Sequence, residues 1–124
     1  MVKKMDCIFC KIMNNEIPSY TIYEDEDFKC FLDINPTQNG DTLVVPKKHY
    51  YDVFEIDNDI VLKMHEVAKI VMKLLKEKLG ASGFQLIENQ GNMQEIKHIH
   101  LHVTPHYINK PEKLSVEEVF NKIK

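Results

Sequence analysis

Between His98 and Val103 the chain alternates imidazole with aliphatic side chains, His98-Ile99-His100-Leu101-His102-Val103, and very few backbone conformations can use that pattern. A period of two belongs to the β-strand, in which successive side chains point to opposite faces of a sheet. The aliphatic set needs a core beneath it, so the chain must build a sheet-containing layered domain. The imidazole set then forms a row above that floor, with rings about 6.5 to 7 Å apart along the strand. Four of the six histidines lie between positions 98 and 106. Three uses of such a row are open. It can be a solvated face, though three histidines in register over apolar partners argue against that. Alternate histidines on a strand can ligate one metal ion, usually with a carboxylate or a further histidine nearby. One imidazole can also act as a nucleophile at phosphorus while its neighbours orient it and protonate the leaving group. The residues by themselves leave the last two uses open.

Size and charge narrow the field. The 124 residues, 44% of them hydrophobic, suit one domain spanning 1–124 and leave no room for a second core. The formal charge of −3 offers no global positive field, so no nucleic-acid partner is expected. All sixteen basic residues are lysine, and without a guanidinium fork any phosphate must be held by backbone N–H groups, imidazoles or lysines. No apolar stretch follows Met1 to Asp6, and none elsewhere is long enough to span a membrane, which predicts a soluble, unsecreted protein with no membrane partner. Three cysteines are an odd number, and Cys7 and Cys10 stand too close to staple a fold, which suits a reducing, cytoplasmic setting.

Periodicity predicts strands at 20–24, 28–32, 41–45, 83–88 and 96–104, with Phe28, Cys30 and Leu32 on one face and Pro46 ending the third. A long helix is expected at about 59–79, ended by Gly80, and a short C-terminal helix at 116–123 capped by Ser115 with Glu118 at N3. The segment 89–95 reads as a loop. The fold class is therefore α+β: an antiparallel sheet of about five strands with one long and one short helix. The apolar stripe of the long helix is wider than one sheet requires, which predicts a second surface and a homodimer.

The block His98 to Thr104 resembles the H-φ-H-φ-H-φ-φ signature (φ apolar) of the histidine triad (HIT) superfamily, with threonine at the last φ. Cys7-Ile8-Phe9-Cys10, Glu16-Ile17-Pro18, Phe31-Leu32-Asp33-Ile34-Asn35-Pro36, Leu43 to His49 and Asn89-Gln90-Gly91 are similar, in order, to segments of its short, Hint-like branch. The resemblance covers about residues 6–108 and implies a nucleotide hydrolase or transferase acting at the α-phosphorus of nucleoside 5′-monophosphate derivatives, a purine (AMP-type) nucleotide being the partner. It makes His100 the nucleophile that carries a nucleotidyl group, with no catalytic metal required. It gives His102 and Asn89 to the phosphate or leaving group, the backbone at Glu95 and Ile96 to an oxyanion cradle, Asp33 to the ribose, and Phe9 and Ile34 to the base. Phe9 and Ile34 also read as plain core residues, and Asp33 as a turn residue. Phosphoramidates and aminoacyl-adenylates are the favoured substrates; the alternatives are a dinucleoside polyphosphate hydrolase and a nucleotide-binding scaffold with little turnover. The loop before the triad is shorter than the family's glycine-rich version, Glu95 stands where some relatives carry serine, and His106 has no assigned role.

Cys7, Cys10, His49 and His98 offer the four N/S ligands of a closed structural zinc, although a redox C-x-x-C or plain thiols have the same spacing. Relatives that bind zinc at matching positions point to the metal. Cys30 reads as a packed core thiol and His65 as solvated.

Overall fold

The turn chemistry and apolar runs organise a five-stranded sheet in the order β1-β2-β3-β5-β4, antiparallel throughout. The strands are β1 (Thr21–Glu24), β2 (Phe28–Leu32), β3 (Thr42–Pro46), β4 (Gly83–Ile87) and β5 (Leu101–His106). This is a computed structural model in which residues 7–124 are described; residues 1–6, including the opening Met1-to-Asp6 segment and the first residue of the HIT-like stretch, lie outside the described residues.

The β1–β2 hairpin closes on its acidic turn: the Asp25 carboxylate accepts the N–H groups of Asp27 and Phe28, each at 2.8 Å. β2 and β3 are buried along their whole length because both faces of the sheet are covered. On one face Phe28, Cys30, Leu32, Val44 and Val103 pack with the helix α2 (Asn58–Leu79) and the C-terminal α3 (Val116–Ile123). On the other, Phe31, Leu43 and Val45 pack beneath a short helix α1 (Ile8–Met13).

Both long-range helices follow their sequence signals. α2 ends at Gly80, whose φ of 77° is the left-handed conformation that glycine adopts without Cβ strain. α3 starts with the reciprocal capping box between Ser115 and Glu118. Part of the wide α2 stripe is covered within the chain, since Val119 and Ile123 of α3 join its core cluster, while Leu62 remains 64% exposed.

Four features depart from the sequence reading. α1 is too short to show a periodicity; it is set by Cys7 at its N-cap, whose Sγ accepts the Cys10 N–H at 3.4 Å, and by the buried Lys29, whose Nζ donates to the Ile12 carbonyl at 3.0 Å and to Asn15 Oδ1 at 2.9 Å. A single 3₁₀ turn, Gly91–Met93, interrupts the loop expected at 89–95. β5 begins at Leu101 rather than Ile96, because its ladder with β3 stops at the Val44–Leu101 pair and the Ile99 N–H turns to the Tyr50 carbonyl, 2.8 Å away. His98 and His100 thus precede the ladder. Pro46, expected just beyond β3, is its last residue.

Candidate functional site

Alternation survives the late start of β5: Ile99, Leu101 and Val103 are buried in the core, and the three histidines lie on the other side. They are not a solvated row, for His98 and His100 are themselves buried under α1, and only His102 is half-exposed. The rings of His100 and His102 are 4.8 Å apart between centroids, closer than the strand repeat, because the side chains tilt towards each other.

The first imidazole faces away from the other two. His98 Nε2 lies 2.8 Å from the Pro46 carbonyl, which can only accept, so the proton sits on Nε2 and the Nδ1 lone pair faces the two cysteine sulfurs. That Nδ1 is 3.4 Å from Cys7 Sγ and 3.6 Å from Cys10 Sγ, and Cys10 Sγ is 3.2 Å from His49 Nδ1. All four donor atoms lie within 4.8 Å of one another. A tetrahedral zinc with ordinary Zn–S and Zn–N lengths sets S···N edges of about 3.5 Å, so the donor set fits such an ion. Cys7, Cys10, His49 and His98 could therefore hold a metal, with the Pro46 carbonyl as the outer group that orients one ligand. Cys30 takes no part: it is fully buried in the α2-side core, and burial pushes its thiol pKa far up, which makes it inert. His65 is exposed on α2.

His100 is held differently. Its Nδ1 lies 2.8 Å from the carbonyl of His98, so Nδ1–H is the donor and Nε2 carries the lone pair of the neutral ring. Burial pushes its pKa below the ordinary imidazole value, helped by the neighbouring His102; the His98 carbonyl and the carboxylates of Asp33 and Glu95 pull the other way without overcoming it. The neutral form, with Nε2 unprotonated, is the one that can act as a nucleophile. Phe9 stands edge-on against this ring at 5.0 Å and also meets His98 and Phe31. One aromatic side chain thus touches both His98 and His100.

The remaining residues singled out in the sequence gather unevenly. Asp33 and Glu95 both act on His100 through their charge, so the loop after β2 and the loop before β5 converge there. Asp33 Oδ1 also accepts the Asn35 N–H at 2.9 Å, the turn role that its sequence position allowed. Ile96 packs against the α1-side cluster, whereas Glu95 is exposed. Asn89 is half-buried two residues beyond Ile87, the register partner of His102. Phe9 and Ile34 sit at different depths: Phe9 is buried and Ile34 is 74% exposed. Sequence reading missed the groups that tune both imidazoles, the carbonyls of Pro46 and His98, because a backbone carbonyl has no residue-type signature. It also missed Gln94, a buried side chain that donates to the Tyr51 carbonyl at 2.8 Å and so anchors the loop carrying Glu95.

Comparison with known proteins agrees with this geometry. The model of the HIT domain family matches residues 14–109. An uncharacterized HIT-like protein of Methanocaldococcus jannaschii is 44% identical over 93% of this chain and 90% of its own. The adenosine 5′-monophosphoramidase of Saccharomyces cerevisiae is 35% identical over 80% of this chain and 61% of its own. Among solved structures, a zinc-bound histidine triad family protein from Mycobacterium smegmatis superposes with a TM-score of 0.89 at 34% identity, covering 98% of this chain and 92% of that one. With the family match, the likeness along nearly the whole chain and the alternating imidazoles in one piece, the protein belongs to the histidine triad (HIT) family.

Proposed function

We propose that the protein is a nucleotide hydrolase that cleaves nucleoside 5′-monophosphate derivatives at the α-phosphorus through a nucleotidyl-His100 intermediate. The observation that carries this reading is the 2.8 Å contact between His100 Nδ1 and the His98 carbonyl, which leaves Nε2 as the one lone pair of a buried, neutral ring beside His102. Nε2 attacks the α-phosphorus and the bond from phosphorus to the leaving group breaks, its electron pair departing with that group. His102 hydrogen-bonds the phosphate or hands a proton to the leaving nitrogen or oxygen. Water then attacks the same phosphorus, the P–N bond breaks back to His100, and the water's proton is lost to solvent or to His102. The sum is one water consumed, with a nucleoside monophosphate and the protonated leaving group released. Asp33 takes the ribose hydroxyls, Ile34 and Phe9 the base, Asn89 the phosphate side, and the N–H groups at Glu95 and Ile96 the developing oxyanion charge.

His98 cannot join His100 and His102 on one ion, because its Nδ1 faces the cysteines and its Nε2 the Pro46 carbonyl. This supports a nucleophilic use of the row over a three-histidine metal centre. A zinc held by Cys7, Cys10, His49 and His98 would instead supply a structural cross-link between α1 and the segment leading into β5. The three cysteines, none of them in a disulfide among the described residues, suit a reducing, cytoplasmic setting.

Incubating the protein with adenosine 5′-phosphoramidate should release AMP with multiple turnovers, followed by chromatography. AMP binding without release would favour the scaffold reading, and faster release from a dinucleoside triphosphate would move the substrate to that class. We also propose a homodimer through the exposed side of α2, where Leu62 and Ile70 are uncovered. Light scattering at micromolar concentration should give twice the chain mass; the monomer mass rejects it.

A further inference from the structure

Beyond the triad, the far end of β5 carries a cleft that the proposed reaction does not use. It encloses about 270 Å³ and is lined by Thr37, Gln38 and Asn39 on one side and by His106, Tyr107, Lys110, Pro111 and Lys113 on the other. His106 lies four residues past His102 on the same strand, a separation of about 13 Å at the β-strand rise, so this is a different place from the imidazole pair.

Its charge is opposite to that of the protein as a whole. The chain carries a net −3, yet the lining has two lysines and a histidine and no carboxylate. Lys110 and Lys113 are exposed, and among the described residues neither takes part in a salt bridge. Asp41, the acid of the facing loop, is buried and turned to its own loop, its Oδ2 accepting the Thr37 N–H, the Thr37 hydroxyl and the Gln38 N–H. It fixes the loop rather than pairing with the lysines, and Glu112, exposed between them in the sequence, is not part of the lining.

The two walls are also bolted together. The Asn39 amide donates to the Glu112 carbonyl at 2.9 Å and accepts the Leu114 N–H at 3.0 Å, while the Tyr107 hydroxyl donates to the Asn39 carbonyl at 2.6 Å. Next to it, Gly40 has φ 93° and a Cβ there would stand 2.7 Å from Leu79, so the loop seats directly on α2. His106 is held at the rim by a 2.7 Å hydrogen bond between its Nε2 and Gln85 Oε1. A preformed cleft loses little ordering entropy when a ligand enters.

We infer that this cleft is a second anion site, one that binds an oligophosphate chain between Lys110, Lys113 and the Gln38 side-chain amide. A chain of two or three phosphates carries enough charge and oxygens to engage both lysines at once, which a single phosphate does less well. Free inorganic oligophosphate and the phosphate tail of a nucleotide share this chemistry.

Calorimetric titration of the full chain with inorganic tripolyphosphate, with and without saturating AMP, tests the inference. One tripolyphosphate should bind per chain, AMP should leave it in place, and K110Q/K113Q should weaken it at least about tenfold while circular dichroism stays unchanged. ATP binding as tightly as tripolyphosphate would mean that the chain alone is read, and tighter ATP binding would assign a nucleotide tail; both keep the site. Absence of saturable binding at millimolar tripolyphosphate, equal affinity in the double variant, or displacement by AMP overturns it.

Discussion

His100→Ala should cost turnover on adenosine 5′-phosphoramidate on the order of 10⁴-fold or more, the scale seen when a covalent nucleophile is removed. Binding of AMP should change by no more than about threefold, because the ring contributes a lone pair in the reaction and little to holding the product. That split separates a nucleophile from a residue that merely shapes the pocket. His102→Ala should cost less, about 10² to 10³-fold, as expected for a group that moves a proton or binds an oxygen. The reason for the difference is structural. His100 has its Nδ1 proton tied to a backbone carbonyl, at 2.8 Å, and its basicity lowered by burial, so its Nε2 is presented unprotonated. Mass spectrometry of rapidly quenched wild-type turnover should find a nucleotidyl adduct on the peptide containing His100. A His100→Ala variant that keeps near wild-type turnover, or a quenched reaction in which the adduct is always missing, would remove the mechanism.

The sheet was legible in the sequence because each strand there carries a short-range signal that tertiary structure has no reason to override. Phe28, Cys30 and Leu32 share the α2 face, as the period of two requires, and the acidic Asp25 turn closes the hairpin with its own carboxylate. α3 was readable from one pair of residues, Ser115 and Glu118. Interactions distant in sequence were less visible. α1 owes its place to Lys29, a residue on β2 that looks like a solvent-facing strand lysine until the Ile12 carbonyl and Asn15 are seen beside it. The start of β5 is displaced by Tyr50, whose carbonyl takes the Ile99 N–H. The site shows the same division. The histidine row and the Cys/His set showed in residue type and spacing, and the separate parts of His98 and His100 came only from the family resemblance; what neither could show is that two carbonyls, of Pro46 and His98, orient the two rings differently. Composition gave no hint that Ile34 would stand open to solvent while Phe9 went beneath the His100 ring.

Cys7→Ser/Cys10→Ser should lose zinc and stability together, and should slow the reaction without touching the nucleotide. Protein purified without chelator is expected to carry close to one zinc per chain by elemental analysis, and the double variant less than about a tenth. A metal that binds only the folded chain stabilises it by roughly 4 kcal/mol at a thousand times its dissociation constant, which in a domain of this size corresponds to a melting temperature lower by ten degrees or more. Chelation should lower the wild type in the same way and leave the variant where it is. Cys30→Ala is the control: its thiol lies on the α2 side of the sheet, so zinc content should not move. The kinetic consequence follows from a single residue with two duties. The His98 ring faces the cysteines and its own carbonyl fixes the His100 tautomer, so loosening the ring loosens the carbonyl. We expect kcat to fall at least about tenfold while KM stays within a factor of about three, because the groups proposed to hold ribose and base sit on other loops. Wild-type protein that is zinc-free as purified and indifferent to chelation would end the metal assignment, and a variant that lost zinc but kept its full kcat would break the link between that centre and the nucleophile.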